Sequence, residues 1–125
     1  MIDKLAMVAL GGAIGASGRY LSGIAAMRLM GPGFPWGTFF VNVAGSFLMG
    51  VFVTVMALKG GTKFAPLLTV GMLGGFTTFS SFSLDAVTLW ERGELATAAF
   101  YVGASVVLSL AALFLGLALS RMVFQ

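Results

Sequence analysis

Four long apolar runs, joined by short connections, constrain this chain more than any other feature. They predict helices over about residues 5–27, 38–58, 65–90 and 95–123. Each run exceeds the roughly 20 residues that a helix needs to cross about 30 Å of hydrocarbon. Since 59% of the residues are hydrophobic and only 9% are charged, we predict an all-α integral membrane protein with four transmembrane helices. Residues 1–125 then form a single transmembrane domain.

Composition excludes several kinds of chemistry. The chain has no cysteine and no histidine, and it has four Asp and Glu residues. Thiolate chemistry, imidazole general bases and the usual zinc or haem ligands are therefore not expected. With so few carboxylates, acid–base catalysis has little to use, and we do not expect an enzyme. The net charge of +3 is too small and scattered to indicate a nucleic-acid partner.

The third apolar run contains the most unusual local sequence, GMLGGFTTFSSFSLD at positions 71–85. Two adjacent glycines are followed by hydroxyl side chains spaced between phenylalanines. Glycine tolerates non-helical backbone, and Ser and Thr can cap a helix that starts again. In hydrocarbon, a broken helix persists only where its freed N–H and C=O groups face protein, an ion or water. The pattern predicts a break near the midplane, around residues 74–79. The alternative is a straight helix whose hydroxyls bond back to carbonyls one turn earlier.

Polar residues recur every four positions in the second and fourth runs. A spacing of four advances only about 40° around a helix, so each set forms a slowly winding stripe. Such stripes can hold helices together by hydrogen bonds, but an amide in hydrocarbon needs more partners than a hydroxyl does. We interpret the stripes as a hydrated ion pathway, with interhelical bonding as the alternative. Their members are Thr38, Asn42, Ser46, Gly50 and Thr54, and Thr97, Tyr101, Ser105 and Ser109.

The chemistry of the stripes favours an anion. They contain hydroxyls and an amide, but no carboxylate and no lysine. A proton-coupled antiporter needs an ionisable group on its route, and a cation channel favours acidic rings. Neutral donors and the positive edges of phenyl rings suit a small anion that must lose water without being trapped. Because four helices enclose little space by themselves, we expect an oligomer.

Two charged residues lie within the apolar runs. Arg19 is roughly 21 Å along a helix that starts at Leu5, and Asp85 lies late in the third run, which crosses in the same direction. The arginine can extend toward the interface, or the two side chains can pair within one leaflet. Both a structural and a functional role are open at this point. On the same first run, Gly11 and Gly15 form a GxxxG pattern that predicts close approach of another helix.

Three sequence blocks resemble the Fluc (CrcB) family of fluoride channels, and the similarity extends over essentially the whole chain. The blocks are GGAIGASGRY at 11–20, GTFFVNVAGSFLMG at 37–50 and GGFTTFSSFS at 74–83. The resemblance implies a passive fluoride-selective channel that exports fluoride across the bacterial inner membrane. It also implies an antiparallel, dual-topology homodimer in the lipid bilayer, with two pores along the subunit interface.

The resemblance further implies roles for individual residues. A structural sodium ion would lie at the dimer centre, held by the backbone carbonyls of Gly74 and Thr77. Arg19 corresponds to the family arginine near the aqueous entrance. The polar stripe adds Thr38 to the fluoride pathway that the family implies. The complete predicted pathway set is Thr38, Asn42, Phe79, Ser81, Phe82, Tyr101, Ser105 and Ser109.

The distribution of basic residues agrees with dual topology. An even number of crossings places both termini on one side. That side has four basic residues, at positions 4, 59, 63 and 121, and the other has three if Arg19 is counted with positions 28 and 92. Because orientation follows the side richer in Lys and Arg, so small a difference predicts insertion in both directions.

Two other kinds of membrane protein share this size. A small dual-topology multidrug or cation antiporter would need a membrane-embedded carboxylate in the first run, and none lies between Leu5 and Met27. A holin-like structural protein would give no reason for the broken third helix or for the paired stripes. The fluoride channel therefore accounts for more of the sequence than either alternative.

Overall fold

The computed structural model describes all 125 residues and contains only helices, turns and loops. Helix α1 covers Ile2–Met30 and helix α2 covers Trp36–Lys59. The third segment, Thr62–Glu91, is composed of several shorter helices. The third segment contributes helices α3 and α4, described below, and the last helix, α5, covers Leu95–Phe124. The prediction of four helical segments is confirmed, and each segment begins or ends within about three residues of its predicted bounds.

The third segment changes helix type along its length. It begins with a 3₁₀ turn at Thr62–Phe64 and continues as a π-helix over Pro66–Leu73. A single α-helical turn, α3, covers Gly74–Phe76, and the chain then leaves helical geometry before α4 at Phe79–Glu91. The π-helix was not predicted from the sequence.

The break lies at Thr77 and Thr78. Their φ and ψ angles are −87° and 157°, and −154° and 123°, so both residues are extended. The predicted interruption of the third helix is confirmed. The role expected for the glycines is wrong, however, because Gly74 and Gly75 remain helical.

Gly75 is instead required by packing. A Cβ atom at this position would lie 2.7 Å from the Gly12 carbonyl oxygen and 3.1 Å from the Ala16 amide nitrogen. A Cβ at Gly74 would have no neighbour closer than 3.8 Å. The two adjacent glycines therefore face different surroundings, and only Gly75 lies against α1.

The closest backbone contacts join the helices in two pairs. Gly11 and Gly15 are buried on α1, and a Cβ on either would overlap backbone of the π-helix, at the carbonyl oxygens of Leu67 and Met72. This confirms the contact predicted from the GxxxG pattern. The second pair is α2 with α5, where a Cβ on Gly116 would overlap the Phe47 carbonyl oxygen.

Three segments are long and apolar enough to cross a membrane: α2, Thr62–Glu91 and α5. Helix α1 has 29 residues, or about 43 Å of rise, but its glycines and Arg19 make it less apolar. Apolar side chains such as Phe40, Phe100 and Phe114 are more than half exposed on the outer surface of the single chain. Such a surface fits lipid or a second subunit, and the fold is that of a helical membrane protein.

Candidate functional site

Asn42 is bonded to the break through both atoms of its amide. Its Nδ2 donates to the Thr78 carbonyl oxygen at 3.0 Å, and the Thr78 amide donates to Asn42 Oδ1 at 2.8 Å. An asparagine amide has two N–H donors, so one remains available. The other N–H holds the break against α2.

Thr78 caps the restarted helix, as the sequence predicted for one of the hydroxyls in this stretch. Its Oγ1 accepts from the Ser81 amide at 3.2 Å, which satisfies a donor in the first turn of α4. The same Oγ1 lies 3.2 Å from Ser80 Oγ. Thr78 itself was not among the predicted site residues, although a threonine three positions before the amide that it caps is a usual N-cap pattern.

The cap leads to a specific prediction. Thr78→Val removes the hydroxyl and keeps the side-chain shape, so it should destabilise the protein by about 1 kcal/mol. Thr78→Ser keeps the hydroxyl and should stay within about 0.5 kcal/mol of wild type. Thermal unfolding in detergent measures both. Equal unfolding temperatures for the two variants would show that the cap contributes nothing.

The break changes the partners of the carbonyl oxygens around it. In an uninterrupted helix, the Gly74 carbonyl would accept from the Thr78 amide, and the Thr77 carbonyl from the Ser81 amide. Those two amides donate instead to Asn42 Oδ1 and Thr78 Oγ1. The carbonyls predicted as cation ligands have therefore lost their helical donors.

The straight-helix alternative occurs only in part. Thr77 Oγ1 donates to the Leu73 carbonyl oxygen at 2.8 Å, and Thr69 Oγ1 donates to that of Ala65 at 2.9 Å. Both bonds return to a carbonyl one turn earlier, as that alternative supposed. The backbone nevertheless becomes extended at Thr77, directly after the first of these bonds.

Arg19 joins α1 to the last helical turn before the break. The side chain is half-buried, and its Nε donates to the Gly75 carbonyl oxygen at 3.1 Å. Asp85 accepts instead from the Tyr101 hydroxyl at 3.2 Å. The only ion pair in the chain is between the N-terminal amine and Asp3, so the Arg19–Asp85 pair weighed from the sequence does not form within one chain.

Four aromatic rings form a continuous row beside the break. Ring centroids are 5.6 Å apart for Phe79 and Phe82, 5.2 Å for Phe82 and Tyr101, and 5.3 Å for Tyr101 and Phe34. Phe79 is 78% exposed at one end, and Tyr101 is fully buried. Phe34 was not a predicted site residue, because it lies in a connection outside the apolar runs.

An open groove of about 440 Å³ lies between α2, the break, α4 and α5. It brings together five of the predicted pathway residues, and no Asp or Glu lines it. Ser105 is 5% exposed, and its hydroxyl has no hydrogen-bond partner. The predicted residues in the groove are Asn42, Phe79, Phe82, Ser105 and Ser109.

A second recess, of about 520 Å³, contains three other predicted residues. Arg19, Thr38 and Ser81 line it, between α1, the start of α2 and the start of α4. Tyr101 lines neither space, because it is buried behind the Phe82 ring. The structure thus divides the predicted pathway between two neighbouring spaces.

The polar stripe of α2 faces these spaces over only part of its length. Thr38 lines the recess, while Asn42 and Ser46 line the groove. Gly50 and Thr54 are buried instead, and Gly50 packs against the α5 backbone near Leu113. Since each step of four residues turns the stripe by about 40°, its last members have rotated away from the groove.

The fold and the site together define a class: an all-helical membrane protein with an interrupted third helix beside a polar groove that lacks carboxylates. A family model described as CrcB-like protein, Camphor Resistance (CrcB), matches residues 6–117. The chain belongs to this CrcB family.

Curated relatives are similar along nearly the whole chain. A protein of Cereibacter sphaeroides (strain ATCC 17029 / ATH 2.4.9) is 64% identical over 121 residues, which cover 97% of each chain. A protein of Agrobacterium fabrum (strain C58 / ATCC 33970) is 57% identical over 123 residues, covering 97% of this chain and 98% of its own. One of Caulobacter vibrioides is 51% identical over 126 residues, covering 98% and 99%. Each relative is named a fluoride-specific ion channel FluC.

Proposed function

We propose that this protein is a fluoride channel, which lets fluoride leave the cell passively across the inner membrane. The relatives at 51–64% identity are named fluoride-specific ion channels, which makes this a family of transporters and not of enzymes. The observation that carries the proposal is the groove, where an amide, hydroxyls and phenyl rings meet without a carboxylate.

The groove offers what a dehydrating anion needs. One N–H of the Asn42 amide is available, and the buried Ser105 hydroxyl has no partner in the chain. Leaving such a hydroxyl unbonded costs about 1–3 kcal/mol, which a permeating ion offsets by accepting from it. The edges of Phe79 and Phe82 add weak positive potential without a full charge that would trap the ion.

The open shape of the groove favours a second copy as its missing wall. Phe79 is 78% exposed and Gly74 is also exposed in the single chain. An antiparallel copy placed on this face would bury both residues and close one pathway on each side of its two-fold axis.

Helix α1 serves as the fourth crossing of the membrane. It can be less apolar than the other three segments because its glycine face packs on the third segment and not on lipid.

The backbone at the break fits a sodium ion in such a dimer. The carbonyls of Gly74 and Thr77 have lost their helical donors, and unwound carbonyls are common sodium ligands in membrane proteins. Two carbonyls from each copy would supply four oxygens around the axis. The ion would compensate the partial charges of these oxygens and connect the two broken helices.

Fluoride efflux tests the proposed function. Proteoliposomes loaded with fluoride should release it rapidly when a potassium ionophore balances the charge, whereas chloride-loaded vesicles should retain their anion. An ion-selective electrode measures both releases. Protein-free vesicles provide the control, and equal release of fluoride and chloride would contradict the proposal.

Dual topology can be tested separately. The chain contains no cysteine, so a single cysteine at Thr62, which is exposed just after α2, is a specific reporter. An impermeant thiol reagent on inner-membrane vesicles should label about half of the protein, because both orientations are expected in similar numbers. The remainder should react only after the membrane is dissolved. Labelling of all the protein from one side would exclude the antiparallel dimer.

A further inference from the structure

We propose that the recess between α1 and the start of α2 captures fluoride before it enters the groove, with Arg28 as the outer charge of this capture site. The inference rests on the proposed function, which leaves Arg28 without a role. Arg28 lies in the last turn of α1 and lines the same recess of about 520 Å³ as Arg19, Thr38 and Ser81.

The recess concentrates positive charge. Two of the seven Lys and Arg residues of the chain line it, and no Asp or Glu does. Arg19 is held on the Gly75 carbonyl oxygen, while Arg28 is exposed and has no hydrogen bond or ion pair within the chain. A concave surface with one sign of charge raises the local concentration of the opposite ion and its association rate.

The two arginines lie at different depths. Nine residues separate them, which corresponds to about 13.5 Å of rise and half a turn around α1. Both side chains line the recess, with the half-buried Arg19 nearer the break and the exposed Arg28 at the end of the helix. An anion arriving from water meets Arg28 first.

Neighbouring positions on two helices line the recess and the groove. Thr38 lines the recess, and Asn42, one turn further along α2, lines the groove. On α4, Ser81 lines the recess and the next residue, Phe82, lines the groove. This continuity favours the permeating ion over a lipid phosphate, which guanidinium groups also bind.

The test compares three variants in vesicles of phosphatidylcholine. Arg28→Gln removes the charge and Arg28→Lys keeps it. Arg92→Gln is the matched control, since Arg92 is an exposed residue between α4 and α5 that does not line the recess. Initial fluoride efflux is measured at low fluoride near 0.01 M ionic strength, at low fluoride in a high concentration of an impermeant salt, and at saturating fluoride.

Arg28→Gln should slow efflux at low fluoride about threefold or more, because it removes one of two charges from the recess, and a whole charged cleft raises association rates by about 10–10³-fold. Arg28→Lys and Arg92→Gln should remain close to wild type. The difference should disappear at saturating fluoride, where capture no longer limits the rate. It should also disappear in salt, because the Debye length falls from about 30 Å at 0.01 M to about 3 Å at 1 M.

Several results would overturn the capture site. These are equal rates for Arg28→Gln and wild type at low salt, a deficit that persists in high salt, or an Arg28→Lys variant as slow as Arg28→Gln. An effect that occurs only when anionic lipid is added would assign Arg28 to a lipid headgroup. Wild-type vesicles that release no fluoride would contradict the proposed function itself, so the two failures are distinguishable.

Discussion

Fluoride efflux should be abolished when Asn42 is replaced by Asp. The variant loses the donor that bonds the Thr78 carbonyl oxygen at 3.0 Å and places a carboxylate against that oxygen. The carboxylate also repels the permeating anion. Two unit charges 4 Å apart interact by about 4 kcal/mol at an effective dielectric constant near 20. This energy corresponds to a roughly thousandfold loss of rate.

The control for this variant is Ser46→Ala. Ser46 lines the same groove, but it makes no hydrogen bond to the break. Its replacement should leave most of the flux intact. Efflux is measured after size-exclusion chromatography has shown that both variants elute like wild type. A folded Asn42→Asp protein that conducts fluoride at the wild-type rate would contradict the role given to Asn42.

A large loss of stability is expected from Gly75→Ala. Its Cβ would lie 2.7 Å from one backbone atom of α1 and 3.1 Å from another, and neither can move without shifting the helix. Overpacking of this kind typically costs about 1–3 kcal/mol. The unfolding temperature in detergent should fall accordingly, and the yield of folded protein should decrease.

Gly74→Ala is the matched comparison, because the two glycines are adjacent and both helical. Nothing lies within 3.8 Å of its Cβ in the single chain, so the folded chain should tolerate it. In the proposed dimer the methyl group would instead crowd the two-fold axis and the sodium ligands. We expect a folded protein with weaker dimers and less sodium-dependent stabilisation. Equal unfolding temperatures for Gly75→Ala and Gly74→Ala would show that the α1 contact is looser than described.

The four helical segments were predictable because bilayer thickness sets their length and hydrocarbon sets their composition. The break was also predictable, since hydroxyls and glycines do not crowd together in a straight membrane helix without a reason. The role of the glycines was not predictable, because Gly75 is required by the nearby backbone of Gly12 and Ala16. The same limit explains why the π-helix at Pro66–Leu73 was not predicted: no spacing of side chains marks it.

The candidate site was predicted in part for similar reasons. Asn42 is conspicuous because an amide in hydrocarbon requires partners, but those partners turned out to be backbone atoms of Thr78, which no side-chain pattern indicates. The ion pair considered for Arg19 and Asp85 was inferred only from their similar depth in the membrane. Direction around the helix also matters, and it brings Arg19 to Gly75 and Asp85 to Tyr101.

Selectivity tests the central claim most directly, because the free donors in the groove are proposed to serve a small, strongly hydrated anion. The purified protein is placed in a planar bilayer with fluoride on one side and an equal concentration of chloride on the other, and the reversal potential is measured. A fluoride channel predicts a large potential of the sign set by the fluoride gradient, which should collapse when chloride is replaced by fluoride. A reversal potential of zero under the fluoride–chloride gradient, in a membrane that conducts current at other voltages, would contradict the account.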